Sequence, residues 1–254
     1  MVWVTGDTHG WFDINKLSAD LWPQGQKLRR SDLLVIVGDF GLIWEEPPAF
    51  ENRYFLDWLN RQPWTTLFLD GNHENHDLLD AMEVTYWRGG KVHRIPRYDN
   101  IYHLMRGQVY DMGCDGVWFV MGGGATQDRS WRRPGLEWWE REMPSAEEYE
   151  EARRNLEARS WCVDYVFTHD CPYRYKLKAM KRWYNPGRMG HDELTDFLDE
   201  VDLRLNARCL KMWYFGHYHD DLPIPGGRHA LLYQQIVRLG ELPEERAPGY
   251  RASS

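Results

Sequence analysis

A chain of 254 residues with a mass of 30.3 kDa is long enough to bury the core of one large domain or of two small ones. Its 39 acidic residues exceed its 31 basic residues, and the net charge of −8 argues against a general attraction to nucleic acid backbones. Hydrophobic residues make up 43% of the chain, which excludes general disorder, but charges and prolines interrupt every apolar run before the roughly 20 residues that a membrane-spanning helix needs.

The first predicted strand lies at the N-terminus, in the segment MVWVTGDTHG. This segment lacks the basic, apolar and cleavage regions of a signal peptide, so a cytoplasmic protein is expected. Short apolar segments, each followed by Gly or a polar cluster, predict buried strands of one sheet at residues 3–4, 33–37, 66–69, 165–167 and 212–215. Apolar residues at helical spacing predict helices over residues 14–21, 49–59 and 192–205.

The middle of the chain has a different pattern. Segments 91–95, 101–105, 108–112 and 117–121 are short and separated by turn residues, which predicts antiparallel strands and a second sheet. Ser145 and Glu148 have the spacing of a capping box and predict a helix that ends near residue 159. Residues 240–254 are polar and rich in Pro and Gly, so the chain is divided into a domain over 1–239 and a loosely attached tail.

The four cysteines are far apart in the sequence and form no CxxC pair. Cys114, Cys162, Cys171 and Cys209 therefore indicate neither a disulfide framework nor a thiolate zinc site. We expect all four to be reduced and buried.

Five of the apolar strands are followed at once by residues that bind metal ions. The segments are VWVTGDTHG, LLVIVGDFG, TLFLDGNHE, DYVFTHD and MWYFGHYH, and the side chains are Asp7, His9, Asp39, Asn72, His73, His169, His217 and His219. In open α/β sheets, ligands collect beyond the carboxyl ends of the strands, so these loops are expected to converge. Alternative roles as turn caps or surface histidines do not explain the joint pattern.

Carboxylate, amide and imidazole donors without a thiolate favour first-row divalent ions such as Mn, Fe, Co, Ni or Zn. Seven or eight donors exceed the needs of one ion, whereas two ions that share a carboxylate match the number and are common at sites of phosphoryl displacement. Asp39 is the natural bridge. Residues at i and i+2 in an extended segment point to the same side, which lets Asp7 and His9 act together.

These residues resemble the calcineurin-like metallophosphoesterase superfamily, whose motifs are DxH, GD, GNH followed by an acid, a separate His, and GHxH, in this order. The resemblance implies an α/β fold, a four-layer α-β-β-α sandwich of two packed mixed sheets with a dinuclear metal site at the carboxyl ends of the strands. It also implies that one ion is held by Asp7, His9, Asp39 and His219, and the other by Asp39, Asn72, His169 and His217. Manganese is the leading candidate, and His73 is left free as the general acid.

Further side chains are weaker candidates. Substrate contacts are predicted for Arg129, Arg132 and Arg133 on a Gly-rich loop, and for His103 and Arg106, although arginines on loops are commonly just solvated. Asp170 and Glu74 are next to predicted ligands and are candidates to orient imidazoles. Trp138 and Trp139 could stack on a base or anchor the core. His76, His93, His191 and His229 are expected to be structural or exposed.

The resemblance implies hydrolysis of a phosphate monoester or diester of a small molecule or nucleotide, by a hydroxide that bridges the ions. The chain has GDFGLIW and LDGNHE where calcineurin-like protein phosphatases carry GDxxDRG and RGNHE, which argues against a phosphoprotein substrate. One alternative is a nuclease, which needs a basic groove. The other is a non-catalytic interaction scaffold, which the loss of ligands or of His73 would favour, and all of these residues are present.

Overall fold

Two mixed β-sheets lie face to face in the computed structural model, which describes residues 1–180 and 190–245. The strands are β1 (Val2–Thr5), β2 (Leu33–Ile36), β3 (Thr65–Phe68), β4 (Val84–Trp87), β5 (Gly90–Arg94), β6 (Ile101–Leu104), β7 (Gln108–Asp111), β8 (Val117–Met121), β9 (Tyr165–Thr168), β10 (Met212–Phe215), β11 (Leu222–Ile224), β12 (His229–Leu231) and β13 (Ile236–Arg238). The α-helices are α1 (Phe50–Asn60), α2 (His76–Asp80), α3 (Ala146–Ala158), α4 (Tyr173–Ala179) and α5 (Glu193–Arg204).

Each sheet has a parallel centre and antiparallel edges. The first sheet has the order β13-β1-β2-β3-β6-β5-β4, in which β1, β2, β3 and β6 are parallel. The second has the order β11-β12-β10-β9-β8-β7, in which β12, β10, β9 and β8 are parallel. Val35 pairs with Val4 and Leu67 in the first sheet, and Phe167 pairs with Tyr214 and Val120 in the second.

Alternating side chains of the central strands fill two different parts of the core. Val35 of β2 and Phe167 of β9 belong to the apolar cluster between the two sheets. Ile36 of β2 points the other way, into a cluster with Leu56 of α1. Val166 of β9 points into a third cluster, with α3 and α5. This two-residue periodicity, with both faces buried, produces the four-layer α-β-β-α sandwich that the resemblance implies.

The distribution of strands between the sheets differs from the sequence prediction. The five apolar strands do not form one sheet, because β1, β2 and β3 belong to the first and β9 and β10 to the second. The middle strands do not form a sheet of their own either: β5 and β6 join the first, and β7 and β8 join the second. A strand buried on both faces has the same local pattern in either sheet, so its partner is decided by contacts distant in sequence.

Three of the four predicted helices are confirmed, with shifts of one or two residues at their ends. Helix α3 begins at the predicted capping box, in which Ser145 accepts from the Glu148 backbone and Glu148 accepts from the Ser145 backbone. The predicted helix over 14–21 is wrong, because only Ile14–Leu17 forms a short 3-10 helix. The chain leaves the helical conformation at Ser18, whose backbone is extended, and the Lys16 ammonium donates to backbone carbonyls of Gly6 and Asp7.

The first residues after position 239 are attached to the body by hydrogen bonds. The Gly240 N–H donates to the Tyr214 hydroxyl, and Glu244 exchanges two hydrogen bonds with the Gln235 side chain. Residues 246–254 of the predicted tail lie outside the described residues. The domain boundary at 239 stays a prediction.

The expectation for the cysteines is wrong at three of the four positions. Cys162 and Cys209 form a disulfide, with Cα atoms 5.4 Å apart, and Cys114 is exposed. Cys171 is free and buried as expected. Cys162 precedes β9 and Cys209 precedes β10, and these strands are parallel neighbours, so tertiary structure brings together two cysteines that are 47 residues apart. None of the helices in the described part of the chain has the length and apolar character to traverse a bilayer.

The disulfide leads to a prediction about thiol content. In unreduced protein unfolded in guanidinium, we expect two thiols to react with a thiol reagent, those of Cys114 and Cys171. The double variant Cys162→Ser/Cys209→Ser should unfold at lower urea concentration, because closing a loop of this length stabilises a protein by up to about 4 kcal/mol. Four reactive thiols in the unreduced wild-type protein would contradict the pairing.

Candidate metal centre

The loops after five strands meet at one edge of the sandwich. Strands β1, β2 and β3 run parallel in the first sheet, β9 and β10 run parallel in the second, and all five carboxyl ends face this edge. The structure brings together there the side chains of Asp7, His9, Asp39, Asn72, His169, His217 and His219, with His73 beside them. The convergence expected from the sequence is observed, although the loops come from two sheets.

The first group of donors consists of Asp7, His9, Asp39 and His219, which offer ligand atoms within 4.8 Å of one another. His9 Nε2 is 3.3 Å from Asp39 Oδ2, and His219 Nε2 is 3.5 Å from Asp7 Oδ2. Two carboxylates and two imidazoles surrounding one point are a donor set suited to a first-row divalent ion.

The second group consists of Asp39, His169 and His217. His169 Nε2 is 3.2 Å from Asp39 Oδ1, 3.2 Å from His217 Nδ1 and 3.3 Å from Asn72 Oδ1. Asn72 thereby adds an amide oxygen to this group. Asp39 belongs to both groups and directs a different carboxylate oxygen toward each.

Two orphaned atoms indicate that a cation fits this centre. His9 Nε2 and Asp39 Oδ2 are buried, and neither has a hydrogen-bond partner in the structure. Buried polar atoms without partners are rare and costly, so such a pair facing each other needs an explanation. A divalent ion between them would satisfy both.

The electrostatics of the centre point the same way. Burial opposes protonation of His9, yet the carboxylates of Asp13 and Asp39 raise its pKa to about 10. Burial also opposes protonation of His169, but Asp39 raises its pKa to about 10. Burial disfavours the charged form of Asp39, and the neighbouring histidines nevertheless hold its pKa well below the usual range. The carboxylates therefore favour positive charge beside them, whereas burial lowers the pKa of His217 and of His219.

Several of these residues have strained backbones. His9, Asp39, His217 and His219 have φ angles of 42°, 47°, 70° and 51°, in the left-handed region that residues other than glycine rarely adopt. Such strain is costly, by roughly 1–3 kcal/mol per residue, and it concentrates at functional sites. Because four of the donor residues have such backbone angles, this edge of the sandwich has the character of a functional site.

Glycines leave room for the carboxylates. A Cβ atom on Gly216 would lie 2.1 Å from Asp7 Oδ1, and a Cβ on Gly71 would lie 2.1 Å from Asp39 Oδ1. Both distances are far below van der Waals contact, so any larger residue at these positions would displace a donor. Gly216, before His217, and Gly71, before Asn72, are thus required because the carboxylates of Asp7 and Asp39 lie so close to their backbones.

Residues that orient the donors were not found by sequence reasoning. Asp13 Oδ2 is 2.7 Å from His9 Nδ1, and the Val37 carbonyl oxygen is 3.0 Å from His169 Nδ1. Each contact fixes the ring so that Nε2 faces the centre. The i, i+4 spacing of His9 and Asp13 was the available signal for the first contact, whereas a backbone carbonyl leaves no sequence signal.

Glu74 and Asp170, predicted to orient imidazoles, bond to other groups. The Glu74 carboxylate accepts from the backbone N–H groups of Phe40 and Gly41 and so supports the loop that carries Asp39. The Asp170 carboxylate accepts from the Tyr218 hydroxyl and from the Cys171 N–H. Both carboxylates shape loops of the site instead of contacting its imidazoles.

A buried carboxylate sets the orientation of the Asn72 amide. Asn72 Nδ2 donates to Thr126 Oγ1 at 3.3 Å, and the Thr126 hydroxyl donates to Glu142 at 2.7 Å. Because the amide nitrogen is used in this way, the amide oxygen faces His169. Arg129 donates to the same Glu142 carboxylate at 2.8 Å and lies over the Trp138 ring, so its guanidinium balances a buried charge.

The other four residues predicted to contact substrate lie at different distances from the site. Arg132 lies at the mouth of the site, where Asp128 holds its Nε at 2.7 Å. Arg133 is exposed and pairs with Glu137. His103 and Arg106 are buried behind the site and bond to Asp70, at 3.0 and 2.7 Å. These two side chains line neither cavity at the site, and their predicted substrate contact stays a prediction.

The remaining predictions assign one tryptophan and four histidines to structural or surface positions. The Trp139 side chain is buried and its indole N–H donates to Asp77, which supports the prediction that Trp139 anchors the core. His76, His93 and His229 are buried and His191 is exposed, as structural or surface residues would be.

Two adjoining cavities open over the donors. The first, of about 330 Å³, is lined by Asp39, Asn72, His73, Gln127, Asp128, Arg132, Met180, His217, Tyr218 and His219. The second, of about 830 Å³, extends from His73 toward Trp11, Phe12 and Trp44. The ring of His73 lies 5.4 Å from the ring of His9, and its backbone N–H donates to Asp39 at 2.8 Å. Burial lowers the pKa of His73.

Comparison with known proteins identifies the family. The model of the calcineurin-like phosphoesterases matches residues 1–221, in which all five motifs lie. The chain belongs to the calcineurin-like phosphoesterase family. This membership agrees with the resemblance that the motifs indicate.

Two solved structures are remotely similar to this phosphoesterase. A protein assigned as a 5′-nucleotidase from Staphylococcus aureus, in complex with alpha-ketoglutarate, has a TM-score of 0.49 and 14% identity, over 99% of this chain and 55% of that one. The phosphopantetheinyl hydrolase of Mycobacterium tuberculosis has a TM-score of 0.41 and 15% identity, over 99% and 98%. The chain thus spans about half the length of the first structure. No curated protein matches it significantly.

The close approach of Gly216 to Asp7 leads to a prediction. Gly216→Ala should lower metal content after dialysis, because the added methyl group displaces a carboxylate of the first donor group. Gly190→Ala is the matched control, since its Cβ would meet none of the described residues within 4 Å. Metal per chain is measured by plasma mass spectrometry. Equal metal content in the two variants would contradict the steric argument.

Proposed function

We propose that this phosphoesterase binds two divalent metal ions and hydrolyses a phosphate monoester or diester of a small molecule or nucleotide, with His73 as the proton donor. Asp7, His9, Asp39 and His219 would hold one ion, and Asp39, Asn72, His169 and His217 the other. The observation that carries the proposal is the sharing of Asp39 by two donor groups beside a cavity that His73 lines. Manganese as the resident metal belongs to the same proposal.

The donor residues and their supports prepare the site for this chemistry. When bound, the two ions supply the Lewis acidity that activates water and polarises the phosphoryl oxygens. Asp39 keeps the two groups adjacent, and the contacts of Asp13 and Val37 with the histidine rings direct their Nε2 atoms inward. Arg132, at the mouth of the cavity, supplies a guanidinium that can hold a phosphate oxygen.

His73 is suited to protonate the leaving oxygen. Its ring belongs to neither donor group, and it lines both cavities at their junction. The hydrogen bond from its backbone N–H to Asp39 fixes its loop next to the metal ligands. Burial lowers the pKa of the ring and so disfavours its protonated form, and the negative charge of a bound ester would favour protonation again.

The described lining of the cavities favours a small substrate over a nucleic acid. Among described residues, Arg132 is the one Lys or Arg that lines either cavity. A nuclease needs several cations along a groove to hold successive phosphates. A single phosphate group is therefore the better match.

Replacing the shared carboxylate should remove both ions. Asp39→Asn keeps the size of the side chain but loses the negative charge, so we expect metal content to fall from about two ions per chain to below one, with loss of activity toward p-nitrophenyl phosphate and its diester. Asp196→Asn, on the exposed face of α5, is the control. An Asp39→Asn protein that still holds two ions would refute the shared role.

Replacing the proton donor should separate turnover from metal binding. His73→Ala should lower kcat by roughly 10²- to 10⁴-fold, as expected for the loss of a general acid, while metal content stays near that of the wild type. His191→Ala changes an exposed histidine and should leave both unchanged. A parallel loss of metal and activity in His73→Ala would instead assign His73 a structural role.

A further inference from the structure

The larger of the two cavities is a cleft whose chemistry the proposed function leaves unused. It has a volume of about 830 Å³, within the range of sites that enclose a small organic molecule. Three side chains line both this cleft and the smaller cavity over the donors: His73, Arg132 and His219. A group attached to a phosphorus atom held at the centre can therefore extend directly into the cleft.

Aromatic side chains form much of the cleft wall. Trp11 and Phe12 stack with ring centroids 4.0 Å apart, and yet they remain 47% and 66% exposed. Trp44 lies in the same wall. Tyr233 stacks on His219 at 4.9 Å and continues the aromatic surface to the donors. Adjacent large aromatic groups that stay exposed beside a reaction centre are typical of a surface that binds a flat apolar partner.

The charges around the cleft restrict the partner further. Its described lining contains three carboxylates, those of Asp13, Glu45 and Glu51, together with the guanidinium of Arg132, and Asp13 is in contact with His9. Arg132 lies at the end shared with the donor cavity, where a phosphate would be. Negative charge deeper in the cleft would be repelled by the carboxylates and would lack a described cation to pair with.

We propose that this cleft receives the leaving group of the ester, and that the leaving group is an uncharged aromatic ring system. The inference rests on the proposed function, because the phosphate must sit at the metal centre. It narrows the substrate to a compound with one phosphate group joined to an uncharged aromatic portion.

The experiment measures binding of phosphonates, which are not hydrolysed, by calorimetry to the manganese-loaded full chain. The compounds are methylphosphonate, benzylphosphonate and 4-carboxybenzylphosphonate. We expect benzylphosphonate to bind at least about tenfold more tightly than methylphosphonate, because burial of the ring in the cleft stabilises the complex. The added carboxylate should remove most of this advantage.

Two variants test whether the tighter binding of benzylphosphonate depends on the cleft. In Trp11→Ala and in Phe12→Ala, the preference for benzylphosphonate should fall to less than about threefold, whereas affinity for methylphosphonate stays unchanged. Tyr86→Ala is the matched control, because Tyr86 is 75% exposed on β4, at the far edge of the first sheet, and lines neither cavity. Thermal unfolding of each variant checks that the fold is kept.

The outcomes separate the two proposals. Equal affinity for the benzyl and methyl compounds, or a benzyl preference that both cleft variants keep, overturns the leaving-group site and leaves the proposed function standing. Equal binding of the carboxylated compound overturns the charge restriction on the leaving group. Failure to bind any phosphonate, together with no hydrolysis of p-nitrophenyl esters by metal-loaded protein, overturns the proposed function and this inference with it.

Discussion

The buried carboxylate of Asp39 is the group on which the arrangement of the site depends. It lies just after β2, close to the rings of His9 and His169, and accepts the backbone N–H of His73. A negative charge in a buried position is costly unless opposite charge or hydrogen bonds compensate it. The surrounding histidines can supply this compensation as protonated rings, and a divalent ion can supply it without protons. The fold therefore buries a negative charge, on Asp39, that nearby positive charge stabilises.

A set of buried hydrogen bonds holds the loops in the conformations that this arrangement needs. The Lys16 ammonium donates to the carbonyl oxygens of Gly6 and Asp7 and so binds the end of β1. Glu74 accepts from the backbone after Asp39. Left-handed backbone angles at His9, Asp39, His217 and His219 persist because such contacts outweigh the local cost. Rigidity of the donors thus comes from groups that contact no substrate.

The region around the centre is divided into a polar part and an apolar part. The smaller cavity is lined mainly by donors and their neighbours, and the larger cleft by aromatic rings and carboxylates. Arg132 is at the junction, while Arg129 is used internally, against Glu142. Two arginines three residues apart on one loop therefore have different roles, because one is next to a buried carboxylate and the other faces the opening.

Sequence by itself determined most of the central strands, three of the helices and the set of side chains that meet after those strands. Motifs such as GNHE and GHYH follow apolar strands directly, so the position of each donor relative to its strand is a local property, and the capping box of α3 is local as well. Tertiary structure alone decided which sheet each strand joins, the pairing of Cys162 with Cys209, the support of His169 by the Val37 carbonyl and the separate roles of the arginines. These features join segments from 47 to 132 residues apart, or depend on which neighbour a side chain meets, and a local pattern contains no record of a distant partner.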